Sequence, residues 1–417
     1  MTPWSGGYVA GEGGLRFFQG LIKMRGVHPS HPPLLLSAAM LTGLLGAALG
    51  SGDMALMAGE TDPVKVVTQL CEPSGAAPPS DAEMLGCYTR ILGEIMQAQG
   101  ATLGMRTLYQ VAGAAPRFRD FCHVTVHRLG ETMYTRLGNV SEAMALCQDG
   151  CAYGCQHAVL MAYLRELPQG ELPALPRLCP SDPQQLDSLS HNHCAHGVGH
   201  GLEYYFKDVS HALSACTGFP LPFEQKRCTQ GVFMEHAIDI MRTQAPSSAP
   251  ESHLGLCRTV GSDLRNDCYY YLVHLVYWAA GGSDPALFAA CEAVPLSDQR
   301  GCYRGIGRAL GTQYIGQEEK LIRLCGSAQN ARATDCLLGF TGILAGALGI
   351  DRGLSFCAKL PGEARIQCSQ EVGRAIKLRW AAEDRITAEC QKAGEGRYVQ
   401  ACVAAQFIPP EAPPQAP

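Results

Sequence analysis

Residues 283–316 read SDPALFAACEAVPLSDQRGCYRGIGRALGTQYIG. Ser283 and Asp284 are of the type that caps a helix N-terminus, and Pro285 suits the first helical turn. The apolar run that follows carries a short helix to Cys291. A polar loop, EAVPLSDQRG, leads to Cys302, which is expected to open a longer helix, CYRGIGRALGTQYI, closing near Gly316. The segment is thus a helical hairpin with one cysteine where the first helix ends and another where the second begins.

The same hairpin recurs along the chain. Cys216 and Cys228, Cys257 and Cys268, Cys291 and Cys302, Cys325 and Cys336, Cys357 and Cys368, and Cys390 and Cys402 form pairs separated by 11 or 12 residues. Their second members follow one another at intervals of 32 to 40 residues, and Cys194, Cys155, Cys122 and Cys87 continue the series backward. A period of this size marks a helical-hairpin array. The fold class expected is therefore all-α, a solenoid of about ten units of ~34 residues stapled by disulfides, over residues 62–408. Leu213, Leu254, Ile322 and Leu354, three or four places before the first cysteine, face a shared core at helical spacing. Gly197, Gly231, Gly305 and Gly339, three places after the second, read as points of close approach between helices. Each staple closes a loop of about 12 residues and is worth about 3 kcal/mol in the chain-entropy account. Cys71 with Cys87 and Cys179 with Cys194 fit as longer versions. At Cys122, Cys147, Cys151 and Cys155 the simplest pairing is Cys147–Cys155 with Cys122–Cys151, but spacing alone does not decide it, and sulfurs four residues apart also suit a soft ion.

In its helix pairs and staples the region 62–408 resembles disulfide-stapled helical-repeat proteins of the Sel1 and tetratricopeptide kind. What the resemblance implies is shape alone. The signature residues of those families are missing and the 11-residue cysteine interval departs from theirs, so no functional residue carries over.

Composition narrows the setting. The 417 residues are 47% hydrophobic and 17% charged, with a net charge of -5, which excludes a disordered chain and argues against a nucleic-acid partner. Twenty cysteines without a CxxCH motif point to staples in an oxidising compartment, not to haem attachment. An uncharged apolar run, residues 34–50, follows Lys23 and Arg25 and ends in small residues, Ala48 and Gly50. It reads as part of an export signal within residues 1–50, with the functional start at Met24, and alternatively as a membrane anchor. The protein is expected to be periplasmic or extracellular, touching a membrane only through that segment. Residues 409–417 are a Pro-rich tail.

Histidine is unevenly spread. Nine of 13 lie between His123 and His236, and none follows His274, so units at 110–240 are His-rich and those at 283–408 lack histidine. The cysteine frame therefore does not require them. CHVTVHRLGE holds His123, His127 and Glu131, and HNHCAHGVGHGLE holds His191, His193, His196, His200 and Glu203. Both contain H-x-x-x-H, which puts two imidazoles on one helix face a turn apart. His157 and His196 occupy the same register, two places after their cysteines, so stacked helices bring them side by side. His123, His127, His157, His196 and His200 are expected to converge on a divalent transition metal, zinc, iron, copper or manganese, with His236 as a further ligand. Glu131 and Glu203 are the candidate proton acceptors if the ion activates water, and Glu235 is an outer partner. His211, His253 and His274 read as packing residues, as does the aromatic run Tyr269, Tyr270, Tyr271, Tyr277 and Trp278.

No GxSxG, HExxH, phosphate-binding loop or dinucleotide fingerprint stands in a supporting context. Two functions follow: an exported metal-binding repeat protein, with or without catalysis, or a scaffold that binds an unidentified protein, glycan or small molecule. In the scaffold reading the imidazoles lie more than about 8 Å apart, beyond one ion's ligand shell.

Overall fold

The computed structural model describes residues 62–405, apart from 74–78, 80, 120–121, 149–150, 169, 180–188, 244–248, 312, 329–331 and 380–382. The expected export segment, the start at Met24 and the Pro-rich tail lie outside the described residues. Among the described residues there is no strand, and no helix is long and apolar enough to cross a membrane.

The solenoid is built on ten helices that carry the second cysteines: α1 (Asp81–Gln99), α2 (Cys122–Leu137), α3 (Gly154–Glu166), α4 (Leu189–Phe206), α5 (Pro222–Thr243), α6 (Ser262–Ala279), α7 (Gln299–Gly311), α8 (Ala333–Ile343), α9 (Gly362–Arg379) and α10 (Gly396–Ala404). Each packs on the next along the chain. Shorter helices, such as Val209–Cys216, Asp284–Glu292, Glu318–Gly326 and Ile350–Cys357, flank the stack. Side-chain caps start some of them: Asp208 accepts from the His211 amide at 2.8 Å and Asn139 from that of Glu142 at 3.0 Å.

The hairpin at 283–316 differs in detail from its sequence reading. Pro285 does sit in the first turn of Asp284–Glu292, but Ser283 makes no capping bond with its side chain. Asp284 instead accepts from the Tyr314 hydroxyl at 2.8 Å. The loop is shorter than expected, because α7 begins at Gln299, ahead of Cys302. The Gln299 amide closes that loop by donating to the Val294 carbonyl at 3.1 Å. α7 also stops early, at Gly311, leaving Tyr314 outside the helix and able to reach Asp284.

Cys122 does open α2, but four later second cysteines sit deeper in their helices. The repeat predicts that Cys268 opens its helix, yet α6 begins six residues earlier, at Ser262. Cys336 lies three residues into α8, Cys368 six residues into α9, and Cys402 six residues into α10. The reason is local: the polar residues ahead of these cysteines, such as Asp263, Asp335 and Glu363, suit a first helical turn, where a carboxylate meets the positive end of the helix dipole. These four staples therefore grip the body of the long helix, and Cys268, Cys336, Cys368 and Cys402 are all fully buried.

Glycine sets how closely the long helices approach. A Cβ on Gly231 of α5 would collide with the His196 carbonyl of α4, and one on Gly199 of α4 with the Cys228 carbonyl of α5. Gly307 and Gly339 relate α7 to α8 in the same way. Side-chain pairs advance together along α4 and α5, from Asn192 with Arg227 to His200 with Glu235 and Glu203 with His236, so these two helices run parallel.

All twenty cysteines are paired. The regular staples join Cys216 to Cys228, Cys257 to Cys268 and Cys291 to Cys302. They continue with Cys325 to Cys336, Cys357 to Cys368 and Cys390 to Cys402, as the spacing predicts. Cys71–Cys87 and Cys179–Cys194 are the longer versions. Cys147 pairs with Cys155, and Cys122 with Cys151. With their sulfurs oxidised, Cys147, Cys151 and Cys155 have no thiolate to offer a soft ion.

The stack curves tightly enough for helices two apart to meet inside it. Arg304 of α7 reaches Glu371 of α9 at 2.7 Å, and the His196 ring of α4 lies 6.2 Å from that of Tyr271 on α6. Further round, Cys151–Tyr153, just before α3, touches Leu344–Leu348, just after α8. The His-free half thereby closes on the His-rich half.

Candidate metal centre

His123 and His127 project from the first turns of α2, and their ring centroids are 4.7 Å apart. His157, near the start of α3, stands 5.9 Å from the first and 5.7 Å from the second. One ring nitrogen from each of the three lies within 4.8 Å of the other two. His123 Nδ1 is 2.9 Å from the Cys151 carbonyl oxygen. A carbonyl only accepts, so Nδ1 carries the hydrogen and Nε2 presents its lone pair. Cys151 is held there by its disulfide to Cys122, in a turn where Cys151 and Tyr153 both adopt left-handed backbone, φ 54° and 59°. Such non-glycine conformations cost about 1 kcal/mol or more each, so two disulfides here hold a strained turn beside the imidazoles.

His157 is the hub. It is 3% exposed, and its Nδ1 has no hydrogen-bond partner. Its ring also lies 5.5 Å from His193, 5.3 Å from His196 and 5.5 Å from His200, all on α4. Burial, reinforced by His196, His193, His200 and His127, drives the His157 pKa well below 6.5. Burial, His200 and Arg227 do the same for His196. Both are therefore neutral, the form that ligates a metal.

The predicted ligands fall into three groups. His123, His127 and His157 make the tight triad, and His196 and His200 flank it through His157. His236 stands elsewhere: its Nδ1 pairs with Glu203 at 3.2 Å. A crossed pair sits one position back, His200 Nδ1 on Glu235 at 2.9 Å, with both side chains 1% exposed. The two carboxylates also part company. Glu203 is 3% exposed and its Oε2 has no hydrogen-bond partner. Glu131, two turns beyond His123, reaches Arg165 at 3.4 Å with 37% of its side chain exposed.

His193 belongs to the cluster although the sequence reading did not count it as a ligand. Its Nδ1 lies 3.4 Å from His157 Nε2, and its ring stacks on Tyr153 at 4.2 Å and 7°. The signal was its place in the dense H-x-H-C-x-H run, one residue before Cys194. His274 is buried, and burial and Arg308 push its pKa down to about 3. His211 is exposed beside Asp208. Tyr269, Tyr271, Tyr277 and Trp278 are core residues, whereas Tyr270 and Tyr271 also carry the Arg308 guanidinium at 5.6 and 4.8 Å.

Fold and site together define a disulfide-stapled all-α repeat protein enclosing an imidazole cluster. No protein-family model, curated protein or solved structure matches the chain. The likeness to Sel1 and tetratricopeptide proteins thus extends to a helical-repeat architecture and no further.

Proposed function

We propose that this is an exported metal-binding protein, with His123, His127 and His157 holding one first-row transition ion. What supports this reading is the mutual approach of their nitrogens, within 4.8 Å, across two repeats. Three imidazoles and no thiolate suit zinc, copper or iron. Three protein ligands also leave a coordination position for water or a small ligand. The disulfides support an extracellular or periplasmic setting, since twenty paired cysteines persist only where thiols are oxidised. If the bound ion activates water, Glu203 is the better proton acceptor of the two carboxylates, because Glu131 is engaged by Arg165 at the surface.

The scaffold alternative requires separated imidazoles, yet ring distances around His157 are all below 6 Å. Elemental analysis of tag-free, disulfide-intact protein tests the proposal. The expected result is stoichiometric metal in the wild type, with one equivalent lost in a His123→Ala/His127→Ala variant. Equal metal content in the two proteins would reject the triad.

A further inference from the structure

His196 and His200 sit a helical turn apart on α4, with their Nε2 atoms 3.3 Å from each other. Each ring is fixed from behind. His196 Nδ1 is 3.2 Å from the Arg227 carbonyl oxygen, and His200 Nδ1 is 2.9 Å from Glu235 Oε2. Carbonyl and carboxylate oxygens accept, so both Nδ1 atoms donate and both Nε2 atoms turn lone pairs toward the same space. Two lone pairs at that distance repel unless something positive lies between them. A tetrahedral ion with metal–nitrogen bonds of about 2.0–2.1 Å holds two ligand nitrogens about 3.3–3.4 Å apart, which is the separation found. Imidazoles that bind metal characteristically donate their other nitrogen to a carboxylate or carbonyl, and this pair does both.

We infer that His196 and His200 form a second transition-metal site, with Glu235 and the Arg227 carbonyl as the outer partners that orient them. The His157 ring lies between this pair and the pair His123 and His127, so the cluster is a two-ion centre spanning three repeats. Glu235 supplies negative charge beside His200, while the charges of Arg227 and Arg308 are felt at His196. The ion class follows from the metal-binding reading, but the ligands are not those of the triad, so each site stands or falls separately. The rival occupant is a proton, held on His200 by Glu235 and shared with His196.

The test is zinc titration of metal-stripped, disulfide-intact full chain against a chromophoric chelator. Two zinc ions per wild-type chain are expected, one in His196→Ala/His200→Ala and one in His123→Ala/His127→Ala. A His196→Ala/His200→Ala protein that binds as much zinc as wild type would leave the proton as occupant and overturn the second site. If that variant loses one ion while the His123→Ala/His127→Ala variant loses none, the second site holds and the triad fails. A wild type that binds no zinc overturns both. Glu235→Gln guards against misfolding, since it keeps both imidazoles. It should weaken only the second ion, by about 10–100-fold, and an unchanged second affinity would count against the inference.

Discussion

His274 shows what an enclosed imidazole costs this protein in acid. Burial and the nearby Arg308 bring its pKa down to about 3, whereas an unfolded histidine titrates near 6.5. Between those values the unfolded chain binds a proton that the native chain does not, so stability falls as pH drops below 6.5. One such group contributes a slope of about 1.4 kcal/mol per pH unit over that window. His274→Gln should therefore flatten the pH dependence of the metal-free protein, measured as urea midpoints between pH 7.5 and 5. Parallel profiles for wild type and variant would refute the burial argument for His274. The same scale shows what a linear sequence reveals of a site. The register of His157 with His196 was readable because both follow a cysteine by two positions. The place of His193 was not, since it depends on Tyr153, which a left-handed turn swings against it. Helical spacing groups Glu131 with His127, but spacing does not show that Arg165 on the next helix claims it at the surface.

At the scale of the element, glycines divide into those a neighbouring backbone requires and those it does not. Gly231 lies against the His196 carbonyl, so Gly231→Ala must push α4 and α5 apart and displace an imidazole-bearing residue. A loss of at least about 2 kcal/mol is expected, outweighing the better helix propensity of alanine. Gly86 is the control: it lies within α1 and a Cβ there meets nothing within 4 Å. Gly86→Ala should stabilise by about 0.5–1 kcal/mol. Thermal melts of the two variants in opposite directions are the outcome expected, and a melt of Gly231→Ala at or above wild type would contradict the crossing geometry. Glycines three places after the second cysteine were readable as close contacts because the repeat made them periodic. Helix ends were less so. Gln299 reaches back to Val294 and Tyr314 to Asp284, and such bonds between side chains and loops set the boundaries of α7 without any periodic trace.

For the whole molecule the question is what keeps ten stacked hairpins curved around one interior. Nearest-neighbour glycine contacts set the spacing of helices, but they say little about the angle accumulated over several repeats. The link between Arg304 of α7 and Glu371 of α9 skips a repeat and so ties the inner rim directly. Arg374 adds a second guanidinium to the same carboxylate. Burial alone would raise the Glu371 pKa, but Arg304 and Arg374 outweigh it and hold the group below its usual 4.5. A depressed carboxylate contributes stability that is complete above the unfolded value and is lost as pH falls through the folded one. The brace is therefore intact at neutral pH and opens only in acid. Glu371→Gln removes the charge at neutral pH and leaves two guanidinium groups facing an amide. The expected result is a larger radius of gyration by small-angle scattering, with helix content unchanged by circular dichroism, because each hairpin remains stapled while the rim relaxes. The contact between Cys151–Tyr153 and Leu344–Leu348 loosens with it, since that closure depends on the curvature summed over the repeats between them. Tyr153 is also the residue on which His193 stacks, so a slackened rim is felt at the imidazole cluster itself. An unchanged radius of gyration in Glu371→Gln would assign the curvature to the helix crossings alone and free the His-free repeats from any part in shaping the site.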